Sequence, residues 1–311
     1  MAYSMDFTND EGLYKLAMWL RVTKGRTALK AIKAFLAKAG VFVDEARRDP
    51  EGAAEKLATE RRKKALREVK IMDNEKSILR LGDSRCLIKE LPDQSIDLIL
   101  TDPPYNLSNY STGNMELSWH KTINNDLAEW DMNSFEPAEW LSEFKRILKP
   151  TGNIFAFTSY NLMGKWHQIF DPEFDTFQYM VWHKTNPVPK IRRAGFLNSC
   201  ELIICVWNKG HTWNFSSQKE MHNFIQSPIC MGNERLKNPG HPTQKPLKVL
   251  EPIIKMSTNK GDTVFDPFMG VGSTGVAAIR LERKFIGFEL EKGYYDAAIK
   301  RLETSIQAKM V

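Results

Sequence analysis

The stretch TVFDPFMGVGSTGVAAIRL, residues 263–281, decides the fold. It reads as a short strand over Thr263–Phe265, a tight turn, and a helix over Ser273–Leu281. Gly270, Gly272 and Gly275 fit a G-x-G-x-x-G spacing, and Glu289 follows Gly270 by 19 residues, at the end of the next strand. Glycines permit the tight turn and a close backbone approach, and an acidic group at the next strand end can bind ribose hydroxyls. The pattern is that of a nucleoside-cofactor site; the other reading is a tight turn with incidental glycines. No Gly-Lys-[Ser/Thr] follows, so the turn is not a P-loop.

Working outward, the same strand–helix rhythm runs back to Ser77. Apolar strands at Ile78–Leu81, Ile96–Leu100, Asn153–Phe157, Gln178–His183, Glu201–Trp207 and Phe285–Phe288 alternate with helical stretches. The helices are Pro137–Leu148, Leu162–Phe170, Pro246–Ser257 and Lys292–Gln307, two of them opened by a first-turn proline. Such alternation predicts an α/β fold, a parallel sheet covered on both faces. Between Asn208 and Pro239 the rhythm fails, and a polar, aromatic, loop-rich insertion is expected. Residues 1–75 differ again: helical spacing, 16 Lys+Arg against 12 Asp+Glu, and RRKK at 61–64. They predict a basic helical extension preceding a catalytic domain at 76–311. RRKK reads either as a solvated helix face or as a phosphate-contacting one.

Composition excludes several classes. Among 311 residues, 42% are hydrophobic and 26% charged, as in ordinary globular chains. The longest apolar stretches, Leu202–Trp207 and Ile96–Leu100 (the latter interrupted by Asp97), fall far short of the roughly 20 residues of a membrane span. The N-terminus is acidic and polar, unlike a signal peptide. Cys86, Cys200, Cys205 and Cys230 form no CxxC pair and read as reduced thiols of a cytoplasmic protein. No His and Cys subset has metal-ligand spacing, so no metal is expected. The net charge of +6 is compatible with a nucleic-acid partner without demanding one.

Two features choose between adenosine-bearing cofactors. A dinucleotide site usually opens its domain, whereas here one strand and one helix follow the turn. Asp266-Pro267-Phe268 also puts a carboxylate at the strand end, which repels a pyrophosphate and welcomes an ammonium. Both favour S-adenosylmethionine over NAD.

The second constellation is SIDLILTDPPYNLS, residues 95–108. An apolar strand ends at Thr101, and Asp102-Pro103-Pro104-Tyr105 leaves its carboxyl end, where sites of open α/β sheets lie. Two prolines stiffen the loop and remove N–H donors. Asp102 and the Pro103 carbonyl are acceptors, and Tyr105 offers a π-face. The set makes a cradle for a planar group bearing an exocyclic amine.

Together these motifs resemble the amino-methylating DNA methyltransferases that modify adenine N6 or cytosine N4. The target-amine motif precedes the cofactor motif, as in the circularly permuted β group. The resemblance covers roughly residues 77–300 and leaves the first 75 unaddressed. LGDSRCLIKELPDQSIDLILTDPPY (81–105) resembles the family's first strand, which implies Asp83 near the cofactor adenine. GHPTQKPLKVLEPII (240–254) resembles the segment before the glycine turn, which implies Thr243 and Lys245 near the methionine part. FLNSCELIICVWNKG (196–210) resembles the strand closing the sheet beside the target pocket. The remaining cofactor residues implied are Phe265, Asp266, Pro267, Phe268, Gly270, Gly272 and Glu289. The implied fold is a Rossmann-like S-adenosylmethionine-dependent methyltransferase sheet, mostly parallel with one antiparallel strand.

The implied chemistry is methyl transfer to a base rotated out of double-stranded DNA. Asp102, Pro103, Pro104 and Tyr105 hold the amine, positioning and electrostatics dominate, and no covalent intermediate is needed. Asp at the first motif position favours adenine N6; cytosine N4 stays open, as does a non-catalytic DNA-binding relative. Lys184, Lys190, Arg192 and Arg193 bracket a Pro-containing loop suited to phosphate contact. Asn106–Trp119 reads as a lid or a plain surface loop, and 208–239 is the candidate target-recognition segment. A second copy of the chain and a cognate restriction endonuclease are partners the resemblance admits.

Overall fold

The computed structural model describes residues 71–74, 76–105, 115–117, 120–123, 135–189, 196–240 and 243–307. These fall within one compact unit, Lys70–Val311. The helices expected before residue 70, most of the 106–119 loop, and Lys190, Arg192, Arg193 and His241 lie outside the described residues.

The strands are β1 (Ile71–Asn74), β2 (Ser77–Leu81), β3 (Ile96–Thr101), β4 (Met115–Leu117), β5 (His120–Ile123), β6 (Leu148–Thr158), β7 (Thr176–Lys184), β8 (Cys200–Trp207), β9 (Phe224–Ser227), β10 (Thr263–Asp266) and β11 (Lys284–Glu289). The helices are α1 (Ser84–Leu87), α2 (Ala138–Ile147), α3 (Met163–Phe170), α4 (Leu247–Ser257), α5 (Ser273–Arg280) and α6 (Lys292–Gln307). Among the described residues one sheet has the order β1-β2-β11-β10-β3-β6-β8-β7-β9, and β4-β5 form a separate pair. From β2 to β6 every pairing is parallel. β8 is reversed between β6 and β7, and the short β1 adds an antiparallel edge on β2.

The apolar runs sit where a doubly covered sheet needs them. All six residues of β3 are buried, the pattern of a central parallel strand. α2 turns Trp140, Phe144 and Ile147 inward at i, i+4, i+7, and α4 buries Val249, Leu250, Ile253 and Ile254. α5 is buried from Ser273 to Ile279, so its small residues let it lie close on the sheet. A Cβ at Gly275 would meet Phe285 Cδ1 at 2.6 Å. The four cysteines are free thiols, and among the described residues no helix is long and apolar enough to cross a membrane.

The insertion is tied at two levels. Thr212 N–H donates to the Thr151 carbonyl and Asn214 N–H to that of Met256, at the amino end of the sheet. β9 then pairs in parallel with the last half of β7. Further on, Leu236 N–H donates to Gln244 Oε1.

Candidate active site

β3 and β10 are parallel neighbours, with Phe265 opposite Ile99. Their adjacency places the Asp-Pro-Pro-Tyr loop beside the glycine turn. Thr101 Oγ1 donates to Asp266 Oδ1 at 2.8 Å, joining the two strand ends directly. Asp266 Oδ1 also accepts the Phe268 N–H at 3.0 Å, and its Oδ2 accepts Thr274 Oγ1 at 2.8 Å. Burial pushes the Asp266 carboxyl up to about 6, against the pull of these three donors.

Glycine is required at two points of the turn. Gly270 and Gly272 have φ of 52° and 75°, the left-handed region. A Cβ on Gly272 would also meet Leu302 Cδ1 at 2.9 Å. Glu289, at the end of β11, braces the turn: Oε2 accepts Gly270 N–H at 2.9 Å and Oε1 accepts Glu291 N–H at 2.7 Å. Burial raises its carboxyl to about 7. Ser84 Oγ donates to the Pro267 carbonyl at 2.5 Å. The Phe268 ring lies edge-on to Trp140 and Phe135, with centroids 4.9 and 5.8 Å away. Asp83 caps α1 and pairs with Arg85 at 3.0 Å, beside Gly82, whose N–H donates to the Glu289 carbonyl. Phe265 is fully buried, edge-on to Phe288.

The cradle is held by a charge cluster. Asp102 Oδ1 accepts the Tyr105 hydroxyl at 2.6 Å, and Oδ2 accepts Lys245 Nζ at 2.5 Å. Lys245 Nζ is also 3.3 Å from Glu201 Oε2, and Lys184 Nζ is 2.7 Å from Glu201 Oε1. The Lys245 side chain is 6% exposed and its ammonium lies 4.9 Å from the Phe157 ring centroid. Burial disfavours that ammonium, but Asp102 and Glu201 outweigh it and raise its pKa. Burial raises the Asp102 carboxyl, with Lys245 opposing and Glu201 adding to the rise. Asn161 Nδ2 donates to the Tyr105 carbonyl at 2.8 Å, so the loop after β6 supports the cradle from behind.

The structure brings two of the expected residues into the charge cluster. Lys184 is largely buried and paired with Glu201. Lys245, expected near the methionine part of a cofactor, is bonded to the cradle carboxylate itself. Thr243 is exposed two residues before it. Sequence reasoning missed Glu201, Asn161, Thr101 and Thr274. A polar residue at the end of an otherwise apolar strand was the available signal for Thr101 and Glu201; Asn161, in a loop, carried none.

The donor set suits S-adenosylmethionine. A buried carboxylate at a strand end can receive the amino-acid ammonium, a glycine turn brings backbone close, and an acidic group stands at the neighbouring strand end. With an amine cradle alongside, the fold and site define a methyltransferase acting on an amino group. Comparison with known proteins narrows the class. The DNA methylase family model (N6_N4_Mtase) matches residues 96–300. The type II methyltransferase M2.LlaDCHI of Lactococcus lactis subsp. cremoris is 35% identical over 246 residues, 74% of this chain and 90% of the relative. M2.DpnII of Streptococcus pneumoniae is 34% identical over 244 residues, 73% and 90% of the two chains. The crystal structure of the M1.HpyAVI–SAM complex superposes with a TM-score of 0.54 at 30% identity, covering 73% of this chain and 100% of that one. The chain belongs to this DNA methylase family. It is an S-adenosylmethionine-dependent DNA amino-methyltransferase.

Proposed function

We propose that the protein methylates the N6 amino group of adenine in double-stranded DNA, on a base rotated out of the stack. The observation that carries this reading is the Thr101–Asp266 bond, which sets the amine cradle and the cofactor turn side by side. Asp266 would hold the ammonium of S-adenosylmethionine and Glu289 a ribose hydroxyl, with the glycine turn between them. Bound there, the cofactor supplies an electrophilic methyl group. Asp102 and the Pro103 carbonyl accept the two N–H groups of the target amine, which turns its lone pair away from the base plane and makes it nucleophilic. Lys245 beside Asp102 opposes protonation of that carboxylate. Asp102 therefore acts as an orienting acceptor more than as a base, and the amine proton is lost after the nitrogen has become cationic.

Aspartate at the head of the cradle supports adenine; the same two acceptors accommodate cytosine N4. The insertion at 208–239 is the candidate target-recognition segment, with Lys190, Arg192 and Arg193 contacting phosphates. Four free thiols and the DNA substrate favour the cytoplasm, and the type II names of the relatives favour a cognate restriction endonuclease. The test is nucleoside mass spectrometry of unmethylated bacterial genomic DNA after incubation with the protein and labelled cofactor. N6-methyladenine is the expected product. N4-methylcytosine would replace the adenine assignment, and an unlabelled digest would refute the reading.

A further inference from the structure

Glu201 occupies a position that the cradle alone does not explain. It stands near the start of β8, the reversed strand, beside the end of β6. Lys184 fixes its Oε1 at 2.7 Å. Its Oε2 lies 3.3 Å from Lys245 Nζ and 3.3 Å from the Tyr105 hydroxyl. These are the two donors that bond Asp102, at 2.5 and 2.6 Å. Two donors thus face two carboxylates, and they rest nearer to Asp102.

That resting arrangement works against the reaction. A carboxylate already bonded by an ammonium is a weaker acceptor for an incoming neutral amine, because charge-assisted bonds are the stronger ones. The cluster holds two ammonium groups and two carboxylates, so transferring a donor from one carboxylate to the other separates no net charge. We propose that Glu201 is a positioning residue for methyl transfer: as the target amine docks, it takes Lys245 and the Tyr105 hydroxyl from Asp102. This rests on the amino-methyltransferase reading. Lys184 holds Glu201 in place as the receiving acceptor, and Lys184 and Lys245 together keep its carboxyl low despite burial.

Glu201→Gln in the full chain tests the inference, since it keeps the shape and removes the charge. Activity is measured with methyl-tritiated S-adenosylmethionine and unmethylated bacterial genomic DNA, over pH about 5.5 to about 9. The kcat should fall about ten- to hundredfold, the loss of one hydrogen bond to a charged group. The KM for DNA and the Kd for S-adenosylmethionine should stay the same. The groups facing Asp102 are Lys245 before α4, Glu201 on β8, Tyr105 on its own loop and Asp266 on β10, with Lys184 of β7 behind Glu201. Removing the Glu201 charge lowers the Asp102 pKa, so the acid limb of kcat should move to lower pH. Glu201→Asp keeps the charge and should recover both kcat and the limb; it also decides the case if Glu201→Gln fails to fold. Unchanged kcat in Glu201→Gln overturns the proposal. So does an equal loss in both variants with an unmoved limb, the mark of a merely structural role. Asp102→Asn separates the readings: its full activity would sink amino-methylation by this cradle, whereas an inactive Asp102→Asn beside a fully active Glu201→Gln sinks only the role of Glu201.

Discussion

Thr101 and Asp266, 165 residues apart and both almost wholly buried, share a 2.8 Å hydrogen bond between adjacent strand ends. The bond stabilises the charged form of Asp266, whose pKa burial has raised to about 6. An ammonium ligand needs that charged form. Cofactor affinity should therefore hold at pH about 8 and weaken as pH falls through about 6. Thr101→Val keeps the shape and removes the donor, so the Asp266 pKa should rise further. Calorimetric Kd for S-adenosylmethionine should weaken about tenfold near pH 6, and less at pH 8. An affinity that is equal in both proteins at both pH values refutes the assignment of Asp266 to the ammonium.

Asp102 is the proposed acceptor of the target amine. Asp102→Ala removes the acceptor and leaves Lys245 with Glu201 as its remaining carboxylate, 3.3 Å away. Methyl transfer should drop by at least about 10²-fold, the cost of removing one preorganised electrostatic group. Cofactor affinity should be unchanged, because Asp266 and the glycine turn are untouched. Single-turnover tritium transfer and a binding titration measure the two quantities separately. Wild-type transfer in this variant would contradict the cradle mechanism.

Lys245→Met should destabilise the fold in a pH-dependent way. Without the ammonium, Asp102 and Glu201 are two buried carboxylates facing each other, and both pKa values rise. A group whose folded pKa is raised contributes stability below its unfolded pKa and loses it as pH climbs through the folded value. The Tm deficit against wild type should therefore be small near pH 5 and grow toward pH 8. Breaking a buried pair by removing one partner costs on the order of 3–5 kcal/mol at the upper end. For a protein of this size each kcal/mol is about 2–4 °C in Tm. A deficit of the same size at both pH values would show that Lys245 acts by packing alone.

The parts of this fold legible in the sequence are those whose pattern is set by burial. β3 and β10 are short, mostly buried strands with apolar centres because both their faces are covered, and the strand–helix order followed from them. β9 left no such mark: Phe224 and Gln226 are exposed, and the strand is held by backbone pairing to β7. β6 extends back to Leu148 through half-buried Lys149 and exposed Pro150 and Thr151, where hydrophobicity carries no signal. The same distinction divides the site. Asp102 and the glycines announce themselves by local spacing. Glu201 and Lys245 meet Asp102 only through the sheet order that sets β8 beside β6, and neither reads as a cradle residue in its own stretch of chain. Lys184 was legible as a cation but not as one already paired.

The basic extension gives the last prediction. Residues 1–75 hold +4 of the +6 net charge, and Arg61, Arg62, Lys63 and Lys64 are its densest run. If this face contacts phosphates, replacing the four with Gln in the full chain should weaken DNA binding at every sequence alike. Each lost phosphate contact should flatten the dependence of log Kd on log salt by about 0.9. The Kd for S-adenosylmethionine should not change, because the cofactor turn lies elsewhere in the sequence and its determinants are intact. Fluorescence anisotropy of a labelled duplex, titrated at several salt concentrations, gives the slope directly. An unaltered slope shows that the run makes no phosphate contact and leaves DNA binding to other residues of the chain.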